Sequence, residues 1–165
     1  NIKIAKEMGV TGVMQPFVRD HSDLECVKEA LREAGAEDIR LFAKIENMDG
    51  VRKLEELLPA ADEIVIARGD LGNSVHLWDL PGVQRQISEK CRAAGKPFMV
   101  VTQMLASMER SPVPTRAEVN DIFHAVMDGA ASIMVTGETA VGDYPVEVIR
   151  YMVNTVRSAE KEENR

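Results

Sequence analysis

The sequence predicts a parallel α/β fold in which strands alternate with crossover helices, and three observations carry that expectation. Five apolar runs recur along the 165 residues: Gly12-Val13-Met14, Ile39 to Ala43, Ile64-Val65-Ile66, Pro97 to Val101 and Ser132 to Val135. Four of them lead into a chemically capable residue, Lys44, Asp70, Thr102 and Thr136, at intervals of 26, 32 and 34 positions. Each interval is the length of a strand plus its crossover helix. Turn and capping signals separate the runs where helices would begin and end. In parallel α/β folds ligands bind at the carboxyl ends of the strands, where the loops converge. The four residues therefore mark the candidate site.

The elements follow in order. Asn1 to Met8 reads as helix already under way and the chain does not open on Met, so a piece of a longer protein is expected. Ser22-Asp23-Leu24-Glu25 forms a capping box for a helix with Leu24, Val27 and Leu31 on its core face and Gly35 at its end. The second strand runs from Ile39 to Ile45. Asp49 and Gly50 lead into a short helix carrying Val51, Leu54, Leu57 and Leu58, which Pro59 stops before a strand from Glu63 to Ala67. Val83, Ile87, Cys91 and Ala94 recur at helical spacing until Gly95-Lys96-Pro97 breaks the pattern. Phe98 to Val101 is continuously apolar, as parallel strands are. Thr115-Arg116-Ala117-Glu118 is a second capping box, opening a helix with Val119, Ile122, Phe123 and Val126 inward and Asp128-Gly129 at its end. After the fifth strand, Pro145 sits in the first turn of a last helix through Val148, Met152 and Val156, which frays over Glu160 to Arg165.

Five parallel strands with right-handed crossovers suit an open doubly wound sheet or part of a closed barrel. Functional-looking residues at every strand end favour the barrel, because an open sheet concentrates them at one switch point.

With 45% apolar and 28% charged residues, a globular domain with a substantial core is expected. The net charge of -7 argues against nucleic acid and against an anionic membrane surface as partners. No apolar stretch approaches the roughly 20 residues needed to span a bilayer, and no signal peptide opens the chain. Cys26 and Cys91 fall in helical apolar patterns far apart, so two buried reduced thiols and a cytoplasmic location are expected.

Residues i and i+2 of an extended strand project to one side, so Lys44 and Glu46 would present a cation beside a carboxylate at the mouth, unless they form a plain surface ion pair. Ala67-Arg68-Gly69-Asp70-Leu71-Gly72 reads as a turn whose two glycines free amide N–H groups for a carboxylate or phosphate. Asp70 and Glu46 together suit Mg²⁺ or Mn²⁺ better than Zn²⁺, with the remaining positions left to water and substrate. A helix cap is the plainer reading of Asp70. The Thr102 hydroxyl would donate to an anion, relay a proton or satisfy local backbone. Arg116 is left over as an anion contact once the second capping box is accounted for. Thr136-Gly137-Glu138-Thr139 suits a phosphate or a loop turn equally. His21, His76 and His124 share no spacing and read as structural or surface residues, and Trp78 reads as part of a lid or as packed against a neighbour.

Taken together, Lys44-Ile45-Glu46-Asn47, Ala67-Arg68-Gly69-Asp70-Leu71-Gly72, Thr102-Gln103-Met104-Leu105, Pro114-Thr115-Arg116-Ala117-Glu118 and Gly137-Glu138-Thr139-Ala140 resemble the pyruvate kinase family in order, spacing and wording. The resemblance covers essentially the whole chain and implies one partial catalytic domain over residues 1–165. That domain would be a partial TIM (β/α)8 barrel of about five parallel strands, from the fourth strand to the eighth helix. The first barrel strands, the lid domain and the carboxyl-terminal regulatory domain would be absent. It further implies transfer of a phosphoryl group from phosphoenolpyruvate to ADP, giving pyruvate and ATP in glycolysis. Lys44 would stabilise the moving phosphoryl group, and Glu46 and Asp70 would hold Mg²⁺ or Mn²⁺. The backbone of Gly69 and Asp70 would bind the substrate carboxylate, with Thr102 near that carboxylate and the enolate. K⁺ in the complete enzyme and a homo-oligomer are implied as well. The sequence departs from the family's wording at Pro16, Asn73 to Trp78, Phe123-His124 and Thr136. The fragment alone is expected to be inactive. The alternatives are a Mg²⁺-dependent aldolase or lyase of the phosphoenolpyruvate and pyruvate barrels, and a non-catalytic truncated barrel acting as an assembly module.

Overall fold

Every apolar run becomes a strand in the computed structural model, which describes residues 2–163. The strands are β1 (Gly12–Gln15), β2 (Arg40–Ile45), β3 (Glu63–Ala67), β4 (Phe98–Val101) and β5 (Ser132–Met134). They form one parallel sheet in the order β1-β2-β3-β4-β5, with Val13 opposite Leu41, Ala43 opposite Ile64 and Val100 opposite Ile133. Each strand lies beside its predecessor, so the order never reverses. A doubly wound sheet needs a reversal at its switch point. The topology is therefore that of part of a (β/α) barrel, with helices between the strands as expected.

Packing divides the chain into two compact units, residues 1–98 and 99–165. In the first, α1 (Ile2–Ala5) lies against α2 (His21–Glu33), where Ala5, Leu31, Ala36 and Ile39 form a buried cluster with Val13 and Val27 against it. The α2 helix starts before the predicted capping box. Asp20 is its N-cap, accepting from the Ser22 backbone N–H at 3.1 Å and from the Ser22 hydroxyl at 2.5 Å, and Gly35 ends it with φ of 60°. Every residue of β3 is buried, which explains its unbroken apolar character. The single short helix expected after β2 is two, α3 (Met48–Arg52) and α4 (Leu54–Leu57), meeting at Lys53.

Two further expectations need correction. Residues 68–74 form a helix, α5 (Arg68–Ser74), and not a glycine turn. Cys26 is exposed on α2, whereas Cys91 on α6 (Leu80–Ala93) is buried; both thiols are free. At the amino ends of β2 and β3 the charges are structural. Arg40 Nη2 donates to Glu63 at 3.1 Å, and Asp62 accepts the Leu41 N–H at 2.6 Å.

In the second unit, α7 (Arg116–Met127) packs along α9 (Pro145–Glu163), with α8 (Gly137–Ala140) and a 3-10 turn at Ala106–Glu109 beside one another. The α9 helix runs on through residues 160–163, where fraying was expected; Asn164 and Arg165, like Asn1, lie outside the described residues. No described helix is long and apolar enough to cross a membrane.

Candidate active site

The carboxyl end of β2 is tied to the loop after β1 by several hydrogen bonds. Lys44 and Glu46, two apart on an extended strand, turn to the same side, and Lys44 Nζ lies 2.9 Å from Glu46 Oε1. This is no surface pair: the Glu46 side chain is 3% exposed and that of Lys44 25%. The other oxygen, Oε2, accepts the Phe17 backbone N–H at 2.7 Å. Phe17 has φ of 52°, in the left-handed region that a non-glycine residue seldom adopts, and its ring faces solvent. The next residue is tied to the same strand end, since the Val18 N–H donates to the Lys44 carbonyl at 3.2 Å and Asn47 Nδ2 donates to the Val18 carbonyl at 3.2 Å. The Asn47 side chain also caps α3, accepting the Gly50 N–H at 2.9 Å. Phe17, Val18 and Gly50 were not singled out from sequence. Their one visible signal is Asn47 three residues before Gly50, an N-cap spacing.

Glu46 and Asp70 leave neighbouring strands, for Ile45 stands opposite Ile66. Gly69 and Asp70 occupy the first turn of α5, both exposed, behind an N-cap residue, Ala67, that supplies no side-chain acceptor. First-turn amides have no acceptor inside their own helix. The amides of Gly69 and Asp70 thus lack an acceptor within α5 because of their place in the first helical turn, not because of a glycine turn. Among the described residues no group of three or more His, Cys, Asp or Glu is arranged for a metal ion. A closed protein cage of the zinc type is therefore not on offer. The donor chemistry of Glu46 and of Asp70, a buried carboxylate after β2 and an exposed one in the helix after the adjacent strand, suits a hard divalent cation that keeps most of its shell as water or substrate oxygens.

In the second unit Thr102 follows β4 with φ of 79°, and Gln103 continues with φ of 55°. Two successive left-handed residues, one of them β-branched, cost about 1–3 kcal/mol each. That strain falls where the sequence located a functional threonine. In the Thr136-Gly137-Glu138-Thr139 segment, which leads into the short helix α8, Glu138 serves as a tie between loops. It is 2% exposed, and its carboxylate accepts the Leu105 N–H at 3.1 Å and the Thr136 N–H at 2.7 Å. The second capping box is present, with Thr115 and Glu118 exchanging bonds; Glu118 also accepts from the Ser107 N–H at 2.7 Å and hydroxyl at 2.6 Å. Burial favours the neutral acid there, yet the bonds from Ser107 and Thr115 outweigh it and hold the carboxyl below the usual glutamate range. Arg116 is exposed at the rim of a surface cleft of about 500 Å³ lined by Val119, Phe123 and Tyr151.

The remaining candidates sit on the surface. His21 lies 3.5 Å from Glu25, and His124 Nδ1 lies 2.8 Å from the Asn120 carbonyl. Trp78 is 77% exposed and stacks on His76 of its own loop at 4.7 Å.

Comparison with known proteins agrees with the motifs. The sequence profile of the pyruvate kinase barrel domain matches residues 1–149. A pyruvate kinase of Bacillus licheniformis is 44% identical over 155 residues, covering 94% of this chain and 26% of that protein. One from Dictyostelium discoideum is 44% identical over 160 residues, covering 97% and 31%, and one from Clostridium acetobutylicum is 42% identical over 152 residues, covering 92% and 32%. The chain spans about a quarter to a third of the length of the curated relatives it matches.

Proposed function

Because the chain belongs to the pyruvate kinase family, we propose that it contributes the phosphoryl-transfer centre of a protein that moves a phosphoryl group from phosphoenolpyruvate to ADP. The observation that carries this reading is the ion pair of Lys44 with the buried Glu46 at the end of β2, the strand next to the one that leads into α5 and Asp70. Phosphoryl transfer asks little covalent chemistry of a protein; it asks for positioned positive charge and an in-line arrangement. Lys44 Nζ, held at the strand end by Glu46, would place its charge on the moving phosphoryl group. Glu46 and Asp70 would hold Mg²⁺ or Mn²⁺, which when bound neutralises charge on phosphoryl and carboxylate oxygens. The first-turn amides of Gly69 and Asp70 would receive the substrate carboxylate. Thr102 is assigned to the same reaction, near that carboxylate and the enolate. K⁺ as a second ion, ADP and ATP as nucleotides, glycolysis as the setting, the cytoplasm as the location and a homo-oligomeric assembly belong to the same proposal. So does the reading of the whole chain as one partial catalytic barrel domain.

The activity proposed is that of the full-length protein, and the 165-residue chain alone is expected to be inactive. The test couples pyruvate formation from phosphoenolpyruvate and ADP, with Mg²⁺ and K⁺, to lactate dehydrogenase, on the full-length protein and on this chain. Turnover by the former alone supports the reading. A folded full-length protein that forms no pyruvate overturns it.

A further inference from the structure

Gly50 poses a question that helix formation does not answer. It sits inside α3, where glycine is less favourable than alanine, and its φ is not left-handed, so no backbone need explains it. What explains it is space. A Cβ at position 50 would stand 2.5 Å from the Val18 carbonyl oxygen, well inside contact distance. The same oxygen accepts from Asn47 Nδ2 at 3.2 Å. Asn47 and Gly50 therefore form a cradle for one carbonyl group, and that carbonyl belongs to the residue after Phe17.

The backbone at Phe17 is the point of the arrangement. Its left-handed φ of 52° aims its N–H at Glu46 Oε2, 2.7 Å away. A phenylalanine does not hold that conformation unaided. It is held because Val18 is pinned on both sides, its N–H donating to the Lys44 carbonyl and its carbonyl seated in the cradle. With Oε2 fixed by a charge-assisted bond, the buried Glu46 carboxylate has one orientation, and Oε1 is the oxygen turned to Lys44.

We propose that Asn47 and Gly50 are positioning residues for the divalent cation at Glu46, acting through the Val18 carbonyl and the Phe17 amide. This rests on the reading of Glu46 as a cation ligand. Groups that orient a ligand from behind commonly change metal affinity 10–100-fold when altered.

Asn47→Ser separates this role from helix capping. Serine caps α3 about as well as asparagine but is too short to donate to Val18. The experiment measures Mn²⁺ binding by electron paramagnetic resonance on the full-length protein, together with deuterium exchange of a peptide covering residues 17–18. Wild type is compared with Asn47→Ser, Gly50→Ala and Glu46→Gln. Leu54→Ala is the control for lost stability alone, and circular dichroism confirms folding. Both Asn47→Ser and Gly50→Ala are expected to weaken Mn²⁺ binding about tenfold or more and to speed exchange at residues 17–18, with Leu54→Ala unchanged in affinity. Should Gly50→Ala fail to fold, Asn47→Ser carries the test. Loss of Mn²⁺ binding in Glu46→Gln with wild-type affinity in Asn47→Ser overturns the inference and leaves the Glu46 reading standing. Wild-type affinity in Glu46→Gln, or no Mn²⁺ binding by wild type, removes that reading and the inference with it.

Discussion

Glu46 and Glu138 are both buried carboxylates that follow a strand, Glu46 directly after β2 and Glu138 in α8 after β5, and their partners separate their roles. Glu138 accepts the backbone N–H groups of Leu105 and Thr136 and, at 3.5 Å, the Thr136 hydroxyl, with no cation beside it among these bonds, so it ties two loops together. Glu46 shares itself between one backbone N–H and the lysine two residues before it. In Glu138→Ala the buried Leu105 N–H and the half-buried Thr136 N–H lose their acceptor, and chemical denaturation should show a loss of about 2 kcal/mol; a loss near zero would contradict the clamp. The cysteines offer a second check. Burial pushes the Cys91 thiol up to about 12, while Cys26 is exposed. Since the thiolate is the reactive form, a thiol reagent should modify Cys26 rapidly in the native protein and Cys91 only after denaturant is added. The sequence placed Cys26 among apolar helical neighbours and so mistook its face. Lys44, Glu46 and Asp70 were legible because strand-end position and residue type coincide there. Phe17 and Val18 were not, because their contribution is made by backbone.

At the scale of elements, capping chemistry was read correctly where both halves of a box were present in one segment, as at Thr115 and Glu118. It was misread at α2, because Asp20 lies before the apolar pattern begins and outcompetes Ser22 for the cap. The α5 helix was hidden by composition. Gly69 and Gly72 each disfavour a helix by about 1 kcal/mol relative to alanine, and tertiary packing around the buried Leu71 overrides that preference. The capping box carries a pH prediction. A glutamate held below its ordinary value of 4.5 stabilises the fold above that value, and the contribution is lost as pH falls through the lowered one. Unfolding curves at descending pH should therefore be flatter for Glu118→Gln than for wild type on the acid side. An unchanged acid slope would remove the box as a source of acid sensitivity. Thr115→Ala should cost about 1 kcal/mol at neutral pH by the same measurement.

For the molecule as a whole, the alternation of strands and helices was legible because fully covered parallel strands are apolar without interruption, as β3 is. Strand order was not legible in the residues, since periodicity records which face is buried and not which strand lies beside it. The unreversed order supplies what the pattern lacked, and it aligns the ends of β2 and β3 so that Lys44, Glu46 and Asp70 emerge from neighbours. Lys44 is proposed to supply positive charge to a phosphoryl group in transit. The most direct test of that role is the pyruvate-forming rate of full-length Lys44→Met, with Mn²⁺ affinity measured on the same sample. A fall in kcat of about two to three orders of magnitude is expected, with the cation still bound. A variant that keeps wild-type kcat would contradict it.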